Sequence, residues 1–192
     1  MAWQNVRYQL ISSAPALMHS GQTADPLNKW AKALKQLTGK KSKTDADHEE
    51  IARIEFLAAL YMGADGPVWP SYLVEAALVR GAVKTKEGLL AKSGVLCLEH
   101  ASLEYDGPRT PDALWADERF RYSSIVRVNM ARTPRMRPIF NEWRAVVSLN
   151  IETSVVNPSR IDDWFYVTGT TVGFGDWRPR FGRFTATRLN GK

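Results

Sequence analysis

The chain has 192 residues, 44% of them hydrophobic, enough for one domain with a proper core. No stretch approaches 18 consecutive apolar residues, and the opening MAWQNVRYQL lacks the apolar segment of a secretory leader, so neither a membrane span nor export is expected. Lys and Arg number 26 against 20 Asp and Glu, a net charge of +6, and the lone Cys97 has no internal disulfide partner, so the expectation is a basic, cytoplasmic protein.

In chain order, NVRYQLIS (5–12) alternates Val6, Tyr8 and Leu10 against Asn5, Arg7 and Gln9, the pattern of a half-buried strand. A loop of small residues follows at 12–21. Asp25 before Pro26 reads as a helix start, with Leu27, Trp30, Ala31, Leu34 and Leu37 on one face. Residues 38–47 form a lysine-rich connection. A second helix is predicted from Asp47 to Met62, closed by Gly63. Residues 63–71 read as a turn, Tyr72 to Gly81 as a helix, and 94–100 as a strand. Residues 106–115 form a loop. RYSSIVRVNM (121–130) and NEWRAVVSLNIE (141–152) read as strands, with ARTPRMRPIF projecting between them as a basic hairpin. Ser159 opens a helix to about Thr170, and RFTATRL (183–189) is the last strand.

The order predicts an α+β fold, a ferredoxin-like, RRM-like βαββαβ core in a single domain spanning 1–192. It carries a helical insertion at about 22–65 and a long basic β-hairpin at about 120–150. RNA-recognition modules use the same plan to present a sheet face to single strands.

The charge is unevenly spread. Residues 27–45 hold six lysines and one acid, 121–144 six arginines and one acid, and 173–192 five cations and one acid. These 63 residues have a surplus of 14 positive charges, and the other 129 a deficit of 8. A basic face on a mildly acidic body predicts a polyanionic partner.

TVGFGDWRPRFGRF (171–184) concentrates glycines, arginines and aromatic rings. It is no dinucleotide fingerprint, because a helix precedes it and a strand follows, the reverse of the required context. No cofactor is expected. Gly173, Gly175 and Gly182 can bring backbone amides close to a phosphate. Arg178, Arg180 and Arg183 can grip phosphates through forked donors. Trp177 and Phe181 can stack on bases or fix the loop. In the hairpin Arg127, Arg132, Arg135 and Arg137 are further phosphate ligands, and Lys40, Lys41 and Lys43 widen the basic track. His19, His48 and His100 are scattered, no zinc-ligand spacing occurs, and no metal site is expected.

Three stretches resemble the RAMP superfamily (repeat-associated mysterious proteins) of CRISPR systems, most of all the backbone subunits that polymerise along the guide RNA of Class 1 effector complexes. SAPALMHSG (13–21) is similar to the family's loop after the first strand. GPVWPSYLVEAALVRGA (66–82) is similar to its first-helix stretch, with Pro70, Ser71, Leu73 and Arg80 in place, but lacks the family's glycine after the second proline and its lysine. VGFGDWRPRFGRF (172–184) resembles its C-terminal glycine-rich loop. The chain is short for such a subunit and the 22–65 insertion is unusual, so a stand-alone or phage-encoded relative fits as well as an effector subunit.

The resemblance implies that the glycine loop and first-helix region contact RNA backbone, that 127–141 is a thumb separating nucleotides, and that neighbouring copies stack into a filament or ring. Some relatives cut RNA with an aspartate in the loop after the first strand, where Asp25 is the only nearby acid. The expected function is therefore a non-catalytic binder of single-stranded RNA, or DNA, assembling along the strand, with no membrane partner. A metal-dependent endoribonuclease using Asp25 and a phage structural or interaction protein are the alternatives.

Overall fold

The computed structural model describes residues 2–128 and 130–189. β1 (Trp3–Ser12) and β2 (Ala16–Leu17) precede a 3-10 turn (Gly21–Ala24), α1 (Lys29–Thr38) and α2 (Asp45–Ala59). A short hairpin, β3 (Met62–Gly63) and β4 (Gly66–Trp69), leads into α3 (Ser71–Lys84) and α4 (Gly88–Gly94). β5 (Val95–Leu96), β6 (Ala101–Ser102) and α5 (Pro111–Ala116) come before β7 (Arg121–Val128) and β8 (Ala131–Phe140). β9 (Arg144–Glu152), α6 (Arg160–Val167), a π-helical turn (Thr168–Val172) and β10 (Phe184–Leu189) follow. The class is α+β with antiparallel sheets. No helix among the described residues is long and apolar enough to cross a membrane.

Two compact units form. One comprises Met1–Leu17, Met62–Asp106 and Phe140–Lys192, the other Met18–Tyr61 and Gly107–Ile139.

In the first unit the strand order is β10-β1-β9-β5, every neighbouring pair antiparallel. The alternation read in NVRYQLIS holds: Val6, Tyr8 and Leu10 are buried while Asn5 and Arg7 are exposed. Their cross-strand partners Leu149, Val147 and Ala145 are buried beside them, because directly opposed residues share a face. Helix α6 covers that face through Phe165, whose ring centre lies 4.6 Å from that of Tyr8.

Helix α3 runs through Gly81, where the sequence reading ended it. A Cβ at Gly81 would lie 2.1 Å from Thr168 Oγ1 and 2.9 Å from the Trp164 carbonyl, so the glycine is there to let α3 approach α6. Helix α4 and the hairpin β3–β4 occupy stretches read as connections, and the strand expected at 94–100 shrinks to β5.

In the second unit α1 begins at Lys29, capped by Asn28, whose Oδ1 accepts from Trp30 N at 2.9 Å. The expected start at Asp25-Pro26 is instead a turn, in which Asp25 Oδ1 accepts from Leu27 N at 2.8 Å. A reciprocal capping box between Thr44 and Asp47 starts α2.

The basic hairpin differs from expectation. ARTPRMRPIF is itself a strand, β8, paired with β7 from Arg121↔Pro138 to Val128↔Ala131, while Arg144–Glu152 joins the four-stranded sheet beside β1. Met136 donates its N–H to Glu55 at 3.0 Å, so the alternate positions Pro134 and Pro138 also turn their nitrogens away from β7. Neither proline therefore removes a ladder bond, which is why the segment pairs along its length.

Glu87, just beyond α3, ties that helix to α6. It accepts from Arg160 at 3.1 and 2.5 Å, from Trp164 Nε1 at 2.8 Å and from Thr85 Oγ1 at 3.0 Å. The Arg160 guanidinium first, and the indole second, hold its carboxyl at about 2, below the ordinary 4.5. A depressed folded-state value contributes stability above pH 4.5 that is lost as pH falls toward 2. Glu87→Gln is expected to lower the melting temperature at pH 7 and to flatten its fall between pH 4.5 and 2, as followed by thermal denaturation across that range.

Candidate nucleic-acid interface

The glycine loop is anchored by Phe174. Its ring is fully buried, 5.6 Å from Trp69, 6.2 Å from Trp143 and 4.7 Å from Phe184, centre to centre. To deliver that ring the backbone folds back on itself with positive φ at Gly173, Gly175 and Gly182. A Cβ at Gly182 would sit 1.8 Å from the Phe174 carbonyl oxygen, and one at Gly175 2.1 Å from that of Leu17.

The loop's amides are largely committed inside the fold. Gly173 N donates to Thr168 O, Phe174 N to Gly182 O, Asp176 N to Leu17 O, Phe181 N to Trp177 O and Gly182 N to Pro15 O. The glycines thus enable close backbone packing, and the outward surface of the loop is left to its side chains.

Those side chains line a cleft of about 450 Å³ with the C-terminal part of α3. Arg80 and Lys84 form one wall. Thr171, Val172, Gly175, Asp176, Trp177, Arg178 and Pro179 form the other. Arg80 and Lys84 lie one turn apart on the same helix face, are exposed, and form no ion pair among the described residues. Trp177 has φ +47, a left-handed conformation unusual for a bulky residue, and its indole leans on Phe181 at 6.2 Å. Phe181 is buried, so it fixes the loop, whereas the half-buried Trp177 still faces the cleft. Arg180 is exposed with its guanidinium 6.0 Å from the Phe181 ring centre. Arg183 is exposed and donates to the Pro179 carbonyl at 2.7 Å.

The hairpin divides its arginines between two faces. Arg127 and Arg132 are direct cross-strand partners, both exposed, on one face. They form a non-hydrogen-bonded pair, the kind in which side chains come closest, and neither has a carboxylate partner among the described residues, while Arg127 donates to Met130 Sδ at 3.3 Å. Arg135 and Arg137 lie on the other face. Arg135 pairs with the nearly buried Glu55 at 2.6 Å. Arg137 is buried, donates to Met136 O at 2.9 Å and lies 3.4 Å from His19 Nε2. Both arginines, expected as phosphate ligands, are thus bonded within the protein.

Two of the expected lysines are likewise occupied. Lys40 pairs with Asp47 at 2.6 Å and Lys43 donates to Lys40 O at 2.8 Å, which leaves Lys41 exposed. Lys29, Lys32 and Lys35, exposed along α1, are the more open row. The i, i+3 spacing on a helix was the signal that would have found them, as i, i+4 would have joined Lys84 to Arg80 once α3 was read past Gly81.

Asp25 is exposed and bonded to Leu27 N, and no group of three or more His, Cys, Asp or Glu among the described residues could hold a metal ion. No protein-family model and no curated protein matches the chain.

Gly182→Ala forces a side chain into backbone at positive φ. It is expected to cost at least about 2 kcal/mol, measured by urea denaturation, and to unfix the loop. The exposed Arg180→Ala should leave stability within about 0.5 kcal/mol of the parent.

Proposed function

We propose that this protein binds single-stranded nucleic acid, RNA in preference to DNA, without cleaving it, and gathers several copies on one strand. The observation that carries the reading is the cleft. Arg80 and Arg178 come from the two stretches that resemble the RAMP first-helix region and glycine loop, far apart in sequence, and they line one concavity together with Lys84 and Trp177.

Three cations around an indole suit a phosphate backbone with a base laid on a ring, a recognition mode tolerant of sequence. Asp176 in the same lining favours a strand positioned by its edges over a bare inorganic anion, since a carboxylate accepts hydrogen bonds from base amino groups. The exposed Arg127–Arg132 pair supports a second phosphate contact, because an anion between them relieves the repulsion of two like charges. The preference for RNA rests on the resemblance.

The strand order β10-β1-β9-β5, with α3 joining β1 to β5 and α6 joining β9 to β10, is the order of a ferredoxin-like βαββαβ core, and we read the first unit in that way. On this reading α1, α2, α5 and the β7–β8 hairpin are additions to the core.

Fluorescence anisotropy with a labelled single strand over a salt series tests the reading. Arg80→Ala and Arg178→Ala are each expected to weaken binding and to reduce the slope of log K against log salt by about 0.7, the value for one phosphate contact on a single strand. Arg135→Ala is the contrasting case. It leaves the Glu55 carboxylate without its guanidinium, so stability should fall by about 1–3 kcal/mol while the salt slope stays unchanged. Unchanged slopes in both cleft variants would remove the cleft from the interface.

A further inference from the structure

The cleft that gathers cations also holds a carboxylate. Asp176 stands in its lining with Arg80, Lys84, Trp177 and Arg178, and is half-buried like the two residues that follow it. A site for a bare phosphate gains nothing from an acid, because like charges repel at that range. The backbone already ties the loop down at this residue, where the Asp176 N–H donates to Leu17 O at 2.8 Å. In the side chain, Oδ1 accepts from the adjacent Trp177 N at 3.0 Å. A carboxylate carries about four lone-pair positions on its oxygens, and that bond takes one of them.

Guanine is the base whose edges match this set of groups. Its N1–H and N2–H are adjacent donors, which a carboxylate accepts through both oxygens. Adenine and cytosine present an amino group beside a ring-nitrogen acceptor, and uracil an N–H between carbonyls, so each sets a lone pair against the carboxylate. On its other edge guanine has O6 and N7, acceptors that suit a guanidinium or an ammonium. The indole of Trp177 supplies a stacking surface next to Asp176 in the chain, so one short stretch can meet both the face and the edge of one base. Arg80 and Lys84 face that stretch from α3. The volume of about 450 Å³ lies in the range of small-ligand sites and suits a single nucleotide better than a run of bases.

We propose that the cleft selects a guanine and that Asp176 specifies it. The carboxylate accepts from N1–H and N2–H, Trp177 stacks on the ring, and Arg80, Lys84 and Arg178 serve O6, N7 and the flanking phosphates. The inference rests on the strand-binding reading of the same cleft and sharpens it: most of the strand is held without regard to sequence, and one position is read.

Fluorescence anisotropy with short labelled RNAs tests it, using oligouridine and the same strand with one central guanosine, inosine, adenosine or cytidine. The guanosine strand is expected to bind at least about fivefold tighter than the adenosine, cytidine and all-uridine strands, the lower end for one bidentate base contact. Inosine keeps N1–H but lacks the N2 amino group, so it should fall between. Asp176→Asn should erase the preference while binding oligouridine at least as tightly as the wild type, because the amide sets donors against donors and no longer repels phosphate. The Asn Oδ1 can still accept from Trp177 N, so the fold should be retained, as judged by circular dichroism. Independently of any variant, guanosine monophosphate should displace the guanosine strand from the wild type at lower concentration than the other three nucleotides. Equal binding of all the strands, equal displacement by all the nucleotides, or an Asp176→Asn variant that keeps the preference or weakens every strand alike would each overturn the guanine site while strand binding stands. Failure to bind any strand would overturn both readings.

Discussion

The burial of Phe174 among Trp69, Trp143 and Phe184 is the constraint on which the first unit turns. A ring from a loop can reach that core only if the backbone around it doubles back tightly. Three glycines at positive φ make this possible, and the neighbouring carbonyls accept the loop's amides. With the loop pinned from inside, its outward residues are held against α3. Gly81 plays the matching part on the other wall, because the close approach it permits between α3 and α6 sets where Arg80 and Lys84 stand. The cleft is therefore a consequence of packing on its buried side.

Electrostatics then sorts the cations. Arg135 answers the nearly buried carboxylate of Glu55, Arg160 answers Glu87, and Lys40 completes the cap of α2. Each neutralises a carboxylate that the fold holds in place. Arg80, Lys84, Arg127, Arg132, Arg180 and the lysines of α1 pair with no carboxylate among the described residues. A cation that the fold does not need is the better candidate for an external anion. That criterion distinguishes residues which the basic windows of the sequence treat alike.

Several features were legible in the residues themselves. Period-two alternation located β1, the second helix was expected within three residues of each end of α2 although Leu60 and not Gly63 ends it, and strand-helix order indicated an α+β class. Where the reading failed, a local signal was outweighed by a distant partner. Gly81 reads as a helix stop, yet Thr168 and Trp164 make it an interior residue of α3. ARTPRMRPIF reads as a projection between two strands, yet it is itself a strand, because the nitrogens of Pro134 and Pro138 point away from β7. Asp25-Pro26 reads as a cap, yet Asn28 performs that role. In the glycine loop, composition indicated backbone freedom but not its use, because whether an amide faces solvent or another carbonyl depends on what packs behind it.

By itself the sequence determined the periodic elements, the clustering of charge into three windows, and the presence of a glycine-arginine-aromatic loop ahead of the last strand, since all of these are local properties of neighbouring residues. Only the tertiary structure decided which arginines are held by carboxylates, that Phe174 and Phe181 face the core while Trp177 lines a cleft, and that α3 supplies its opposite wall. Those outcomes depend on residues distant along the chain, where burial and pairing are settled by packing that no local pattern records.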